Sequence, residues 1–126
     1  MIEALKGLPK NVAVDFGGRF AEELAKEFKK VYAVFRSFED VRKELLNLKN
    51  VGVVVGSPKL RADVAVFSEW WEDIECDYVV AVNSIPPFGE LIRIVAFQDY
   101  YVSVVRAKQS NPPDRVPSRL TPEFVK

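Results

Sequence analysis

The chain has 126 residues, enough for one compact domain and too few for two ordinary ones. Eighteen Lys and Arg balance eighteen Asp and Glu, so the formal net charge is zero, which argues against a general nucleic-acid binder or a polybasic membrane binder. The sequence contains no histidine, which excludes Ser-His-Asp catalysis, Cys-His catalysis and every metal site with a histidine ligand.

Cysteine usage and hydropathy predict the cellular location of the protein. The single cysteine, Cys76, permits no internal disulfide and fits a reducing cytosol. No apolar run is long enough to cross a bilayer, and residues 1–6 lack the hydrophobic stretch of a signal peptide. We therefore expect a cytoplasmic protein. Only two glutamines accompany many Lys and Glu, a balance typical of thermophilic sources.

Apolar runs alternate with amphipathic runs in the first half of the chain. Apolar residues recur at helical spacing over 20–28, and Ser37 can cap a second helix whose buried stripe is Val41, Leu45, Leu46 and Leu48. Right-handed crossovers between the strands would give a parallel sheet with helices on its faces. The predicted buried strands of this half are the valine-rich runs 12–16, 31–35 and 51–55.

The second half has a different rhythm. Residues 69–77 are predicted to form a short helix or turn between two further strands. The next two apolar runs are separated by Gln98-Asp99 and predict a β-hairpin. We therefore predict an α/β fold, a Rossmann-like three-layer sandwich whose mostly parallel sheet ends in an antiparallel C-terminal hairpin. The predicted strands of this half are 63–67, 78–83, 93–97 and 100–105.

The composition changes after the predicted hairpin. Residues 109–126 carry four prolines and little periodicity, so we predict one α/β domain over 1–108 and a proline-rich tail that is packed on it or partly disordered. Charge is also unevenly spread: residues 1–62 have twelve basic and eight acidic groups, whereas residues 63–99 have one basic and eight acidic. This two-signed distribution leaves a homodimer, a protein partner and ordinary solvation all open.

The first predicted strand leads into the motif with the strongest functional signal. In open α/β sheets, ligands bind at the carboxyl ends of the strands, and small residues there let the backbone approach a ligand. The segment Val12-Ala-Val-Asp-Phe-Gly-Gly-Arg-Phe-Ala21 resembles the first motif of the Rossmann-like S-adenosylmethionine-dependent methyltransferases. Asp15 and Gly17 match the acid and the first glycine of that motif, while Arg19 and Ala21 stand where its later glycines are expected.

This resemblance covers roughly residues 10–108 and implies a small S-adenosylmethionine-binding, methyltransferase-like protein. The family places an acid for the cofactor ribose after strand two and a polar adenine contact after strand three, where this chain has Arg36-Ser37 and Gly56-Ser57. Arginine cannot accept hydrogen bonds from ribose but suits a phosphate or carboxylate. The alternative is therefore a non-catalytic, degenerate member of this fold that acts as an anion- or nucleotide-binding subunit or as a protein-interaction subunit. The implied cofactor-binding residues are Asp15, Phe16, Gly17, Gly18, Arg19, Arg36, Ser37, Gly56 and Ser57.

A second motif resembles the Asn/Asp-Pro-Pro-aromatic motif of amino-group methyltransferases. In the segment Asn83-Ser-Ile-Pro-Pro-Phe88 the prolines and the aromatic residue match, but Ile85 occupies the asparagine position and the asparagine lies two residues early. The resemblance implies substrate contacts from Asn83, Pro86, Pro87 and Phe88.

Ordinary structural roles compete with several of these assignments. Asp15 can cap the following helix, the glycine pair can be a tight turn, and Arg36 can be solvated. Trp70 and Trp71 can stack on a base or pack into the core. The acids at 73, 75 and 77 lack the glycine and terminal Glu of a calcium loop, so no metal site is predicted. No catalytic residue is predicted.

Overall fold

A computed structural model describes residues 1–107, and the predicted tail at 109–126 lies outside the described residues. Seven strands form one sheet in the order β3-β2-β1-β4-β5-β7-β6. The first five strands in this order are parallel, and β7 runs antiparallel to both β5 and β6. The strands are β1 Val12–Phe16, β2 Lys30–Phe35, β3 Val51–Val55, β4 Arg61–Phe67, β5 Glu75–Val82, β6 Glu90–Ala96 and β7 Tyr101–Arg106.

This architecture confirms the α/β fold with a mostly parallel sheet and a C-terminal hairpin. The valine runs form strands because β-branched side chains fit a pleated sheet that is covered on both faces. All seven predicted strands are present, although β5 begins at Glu75, inside the segment 69–77 that was predicted as a helix or turn. The helix alternative of that prediction is wrong, because residues 68–74 contain no helix and residues 75–77 belong to β5.

Three of the four helical segments of the described residues contribute buried side chains to one face of the sheet, and the turn Phe38–Asp40 contributes none. The single α-helix, α1 (Ala21–Ala25), is shorter than the predicted helix over 20–28. It contributes Leu24 to the first of two core clusters, which also contains Leu5, Phe35 and Leu45. The remaining helical segments are short 3₁₀ turns: Ile2–Leu5, Phe38–Asp40 and Lys43–Asn47.

The predicted helix over residues 37–48 is wrong. Val41 and Arg42 are extended and separate two 3₁₀ turns, and only Leu45 of the predicted apolar stripe is fully buried, whereas Leu46 is 62% exposed. Ser37 donates its hydroxyl hydrogen bond to the Asp40 carboxylate at 3.2 Å instead of capping a helix. Tertiary contacts override the helical pattern here, since the extended Arg42 makes side-chain hydrogen bonds to Gly18 and Glu22.

The opposite face of the sheet is covered by connecting segments. The second core cluster lies on this face and contains Phe16 and Phe67. Trp71 and Ile74 from the loop after β4 belong to it, and Phe88 from the loop after β5 packs against it. The connections 56–60, 68–74 and 83–89 contain no helix. They are too short to form a crossover helix and still return to the sheet. The third layer of the sandwich therefore consists of loops.

Candidate functional site

A tight turn joins the carboxyl end of β1 to α1. Gly17 and Gly18 both have positive φ, at +97° and +72°. The Gly17 N–H donates to the Val34 carbonyl at 2.7 Å, and the Gly18 N–H donates to the Asp15 carbonyl at 3.4 Å. Two consecutive residues with left-handed backbone conformation turn the chain sharply at the carboxyl end of β1. Glycine adopts this conformation without steric cost, which explains why both positions are glycines.

The two glycines face different surroundings. A Cβ atom on Gly18 would lie 2.6 Å from Cζ of Phe35, so this residue lets the turn pack against β2. A Cβ atom on Gly17 would approach only the side chains of Ser68 and Trp70, at 3.7 Å or more, and would project into a cleft. Gly18 therefore serves packing, and Gly17 keeps space open.

Asp15 lies under this turn and is fully buried. Its Oδ2 accepts a hydrogen bond from the Phe20 N–H at 2.7 Å, which fixes the start of α1, while Oδ1 has no hydrogen-bond partner among the described residues. Burial raises the pKa of Asp15 to about 7, against the lowering effects of the Phe20 hydrogen bond and the charges of Arg42 and Arg19. Asp15 thus stabilises the turn from below.

Arg42 holds the same turn from outside. Its Nη1 donates to the Gly18 carbonyl at 2.7 Å, and Nη2 donates to the Glu22 carboxylate at 2.8 Å. Its Nε donates to Glu44 at 3.2 Å. The planar guanidinium therefore ties the loop after β2 to the glycine turn and to α1.

Replacing Arg42 with alanine should lower the free energy of unfolding by about 1.5 kcal/mol, because a charged hydrogen bond to a backbone carbonyl is lost. Urea unfolding monitored by tryptophan fluorescence checks this value. Glu22→Gln is the matched control, and we expect it to cost at most about 0.5 kcal/mol because it weakens only a half-exposed ion pair. Equal losses in the two variants would contradict the assigned role of the carbonyl contact.

A cleft of about 510 Å³ opens at the carboxyl ends of β1, β2 and β4. A second concavity of about 420 Å³ extends from it toward the end of β5, and the two share Arg19, Ser68 and Glu69. The cleft is lined by Gly17, Arg19, Phe35, Arg36, Asp40, Ser68, Glu69 and Trp70. The extension adds Trp71, Val82, Asn83 and Ser84.

The cleft combines an aromatic wall with charges of both signs. The Trp70 ring packs edge-on against Phe16 at 5.4 Å, and the Arg36 guanidinium lies 5.1 Å from the centre of the Trp70 ring. Arg19 lies 4.9 Å from the centre of the Phe20 ring. Two guanidinium groups and two carboxylates thus surround a π surface, an arrangement suited to a polar ligand that also carries an aromatic ring.

Several solved structures have this architecture. A protein described as a "putative methyltransferase" from Pseudomonas syringae superposes with a TM-score of 0.62 at 16% identity, covering 83% of this chain and 94% of its own. A "putative type 11 methyltransferase" from Sulfolobus solfataricus gives 0.61 at 15% identity, covering 80% and 86%. SMU.1697c from Streptococcus mutans, in complex with S-adenosylhomocysteine, gives 0.51 at 15% identity, covering 79% and 90%. This chain has the Rossmann-like methyltransferase fold.

No protein-family model matches the sequence, and no curated protein matches it. The likeness is therefore carried by the structure, and it confirms the fold that the first motif implied. No helix within residues 1–107 is long and apolar enough to span a membrane.

The methyltransferase fold brings some of the sequence-predicted residues together. Gly17, Arg19 and Arg36 line the cleft, while Asp15 is buried beneath it. Ser37 lies beside the cleft through its hydrogen bond to Asp40. Phe16 and Gly18 are buried behind the turn and support it.

Other predicted residues lie elsewhere in the methyltransferase fold. Gly56 donates its N–H to the Phe35 carbonyl at 2.8 Å, and neither it nor Ser57 lines the cleft. Asn83 reaches the extension, but its Oδ1 accepts the Tyr101 N–H at 3.0 Å and so is committed to the sheet. Neither concavity is lined by the remaining predicted substrate residues, which are Pro86, Pro87 and Phe88. The Phe88 ring is partly buried and packs against the second core cluster.

Sequence reasoning missed three polar residues of the cleft. Asp40 stands three residues after Ser37, in the first turn of the predicted helix, and nothing in the sequence indicates that the chain breaks at Val41 and turns this carboxylate toward β1. Ser68 and Glu69 were detectable, because they directly follow the buried strand β4 and carboxyl ends of parallel strands meet at one edge.

Proposed function

We propose that this chain binds S-adenosylmethionine in the cleft over Gly17 and is a methyltransferase-like protein. The observation that supports this most directly is the position of the cleft. It lies at the carboxyl ends of β1 and β4, where the order of the parallel strands reverses direction. Ligands of open α/β sheets bind at this switch point.

The residues of the cleft fit the chemical groups of S-adenosylmethionine. Gly17 leaves room for a ligand against the backbone, because a side chain there would fill the cleft. The Trp70 ring would hold the adenine, and the Asp40 carboxylate would accept hydrogen bonds from the ribose hydroxyls. Arg19 would pair with the carboxylate of the methionine part.

Asp40 resolves the departure found at the end of β2. The resemblance places a ribose-binding acid directly after this strand, where the chain has Arg36. The 3₁₀ turn Phe38–Asp40 brings a carboxylate to the same cleft four residues later. In our proposal Asp40 takes the role of the missing acid.

The acceptor would occupy the extension beside the cleft. S-adenosylmethionine supplies an electrophilic methyl group on its sulfonium when bound. The chain contributes the buried ring of Trp71 as a wall and the Glu69 carboxylate at the shared boundary of the two concavities. Methyl transfer depends chiefly on positioning and on exclusion of water, so the absence of histidine is compatible with it.

A second candidate function rests on the two arginines. Arg19 and Arg36 both line the cleft and could bind the phosphates of a nucleotide without any methyl transfer.

Two further predictions rest on the sequence alone. The single cysteine favours a reducing cytosol, and the composition favours a thermophilic source.

Calorimetric titration distinguishes the two candidate functions. With S-adenosylmethionine, S-adenosylhomocysteine, ATP and NAD as separate ligands, we expect binding of the first two only. A free ligand concentration of about one hundred times Kd should add about 2.7 kcal/mol to the free energy of unfolding. Binding of ATP alone, abolished in Arg36→Ala, would favour the anion-binding alternative and contradict the proposal.

Gly17→Val should weaken S-adenosylhomocysteine binding more than about tenfold, because the new side chain projects into the cleft. Gly56→Val is the matched control: Gly56 has the same backbone conformation, with φ +98°, but a Cβ atom there meets nothing within 4 Å. Both variants carry a side chain at positive φ, so a difference between their affinities measures the effect of filling the cleft. Similar affinities in the two variants would place the ligand elsewhere.

A further inference from the structure

Arg19, at the boundary of the two concavities, lies on a platform of two aromatic rings. Its Cζ atom is 4.9 Å from the centre of the Phe20 ring and 5.4 Å from the centre of the Tyr100 ring. The centres of these two rings are 5.7 Å apart, so a single guanidinium contacts both. Aromatic rings attract cations at such distances because the ring face is electronegative. The guanidinium is therefore held in place although Arg19 is an exposed residue.

The platform itself is fixed by the β6–β7 hairpin and by the core. Tyr100 lies in the turn of the hairpin, where the Phe97 N–H donates to the Tyr100 carbonyl at 2.7 Å. The Phe97 and Tyr100 rings stack with their centres 4.9 Å apart. Phe20 is buried in the first core cluster, and Tyr100 packs against the same cluster. The hairpin thus orders a side chain of the glycine turn, which is distant in sequence.

Arg19 has no acidic partner within residues 1–107. No ion pair joins it to a carboxylate in that part of the chain, whereas Arg42 bonds to Glu22 and Glu44. Arg19 lines both the cleft and its extension. A guanidinium that is ordered by rings, and whose charge is not paired, is suited to bind a carboxylate of a ligand.

We propose that Tyr100 is a positioning residue of the cleft: its ring orders the Arg19 guanidinium, which selects adenosyl ligands with a carboxylate over neutral nucleosides. This inference rests on the proposed function, in which Arg19 pairs with the carboxylate of the methionine part. Ordering a flexible side chain costs free energy when a ligand binds, and prior ordering on the rings removes part of that cost. Tyr100 acts through Arg19, because Tyr100 lines neither concavity.

Two ligands separate the contribution of Arg19 from that of the rest of the cleft. S-adenosylhomocysteine carries the carboxylate, whereas 5′-methylthioadenosine keeps the adenosine and the thioether but lacks the amino-acid part. We expect the native chain to bind S-adenosylhomocysteine at least about tenfold more tightly, the size of one charged hydrogen bond. Arg19→Ala should remove this preference and leave the affinity for 5′-methylthioadenosine unchanged.

Calorimetric titration of Tyr100 variants with both ligands tests the positioning role. Tyr100→Leu removes the ring and should weaken S-adenosylhomocysteine binding about threefold to fivefold, the size of an exposed cation–π contact. Its affinity for 5′-methylthioadenosine should stay native, which a general loss of structure would not allow. Tyr100→Phe keeps the ring and should bind both ligands as the native chain does. Combined with Arg19→Ala, Tyr100→Leu should have no further effect, because the two residues act as one unit.

Circular dichroism checks the fold of each variant. If Tyr100→Leu does not fold, Tyr100→Met gives the same comparison with a longer, adaptable side chain. Equal affinities of the native chain for the two ligands, equal losses for both ligands in Tyr100→Leu, or a loss that persists in the Arg19→Ala background would each overturn the inference. Failure of the native chain to bind either adenosyl ligand would instead contradict the proposed function.

Discussion

Replacing Gly18 with valine should lower the free energy of unfolding by about 3 kcal/mol. Its φ of +72° is strained for any residue with a side chain, and a Cβ atom would lie 2.6 Å from Cζ of Phe35 and 3.2 Å from Cδ1 of Leu45. Both neighbours are buried in the first core cluster and cannot move aside without repacking. Urea unfolding with a linear extrapolation gives the value directly.

Gly56→Val separates the two contributions. Gly56 shares the positive φ but has open space around it, so only the backbone strain of about 1 kcal/mol is expected there. The difference between the variants measures the packing of the turn against β2. Equal destabilisation would mean that the turn does not pack against Phe35 as described.

Replacing Asp15 with asparagine should remove most of the decline in stability between pH 4 and 7. Burial raises the pKa of Asp15 from 3.8 to about 7, so in this range the folded chain holds a proton that the unfolded chain has released. The native protein is therefore stabilised by this group below pH 4 and loses that stabilisation as pH rises through 7. The loss amounts to about 4 kcal/mol.

Denaturation at a series of pH values, with native chain and Asp15→Asn side by side, measures this linkage. At pH 8 the variant should be the more stable of the two, because it carries no buried charge. The control is internal, since all other titrating groups are common to both chains and cancel in the difference. Parallel stability curves for the two proteins between pH 4 and 8 would show that Asp15 titrates normally.

The strands could be predicted because their signal is local. Runs such as 12–16 and 51–55 are apolar on both faces, and their predicted bounds coincide with β1 and β3. The helix over 37–48 could not be judged in the same way. Its apolar spacing is helical, but Arg42 is extended and its guanidinium bonds to Gly18, which is distant in sequence.

The site could be predicted only where a residue follows a strand directly. Gly17 and Arg36 come immediately after β1 and β2, so the rule that strand ends converge was enough to bring them together. Asp40 reaches the cleft through the path of a loop, and loop paths depend on tertiary contacts. The Asn83–Phe88 segment matches its motif only in the prolines and the aromatic residue, and this partial match did not indicate that Phe88 packs against the core.

In our proposal the cleft over Gly17 holds an adenosyl ligand. A crystal structure of the whole chain grown with saturating S-adenosylhomocysteine tests it most directly. We expect the ligand at the carboxyl ends of β1 and β4, with its adenine against Trp70 and its ribose within hydrogen-bond distance of Asp40. An ordered cleft without ligand, or the ligand bound on another surface, would contradict it.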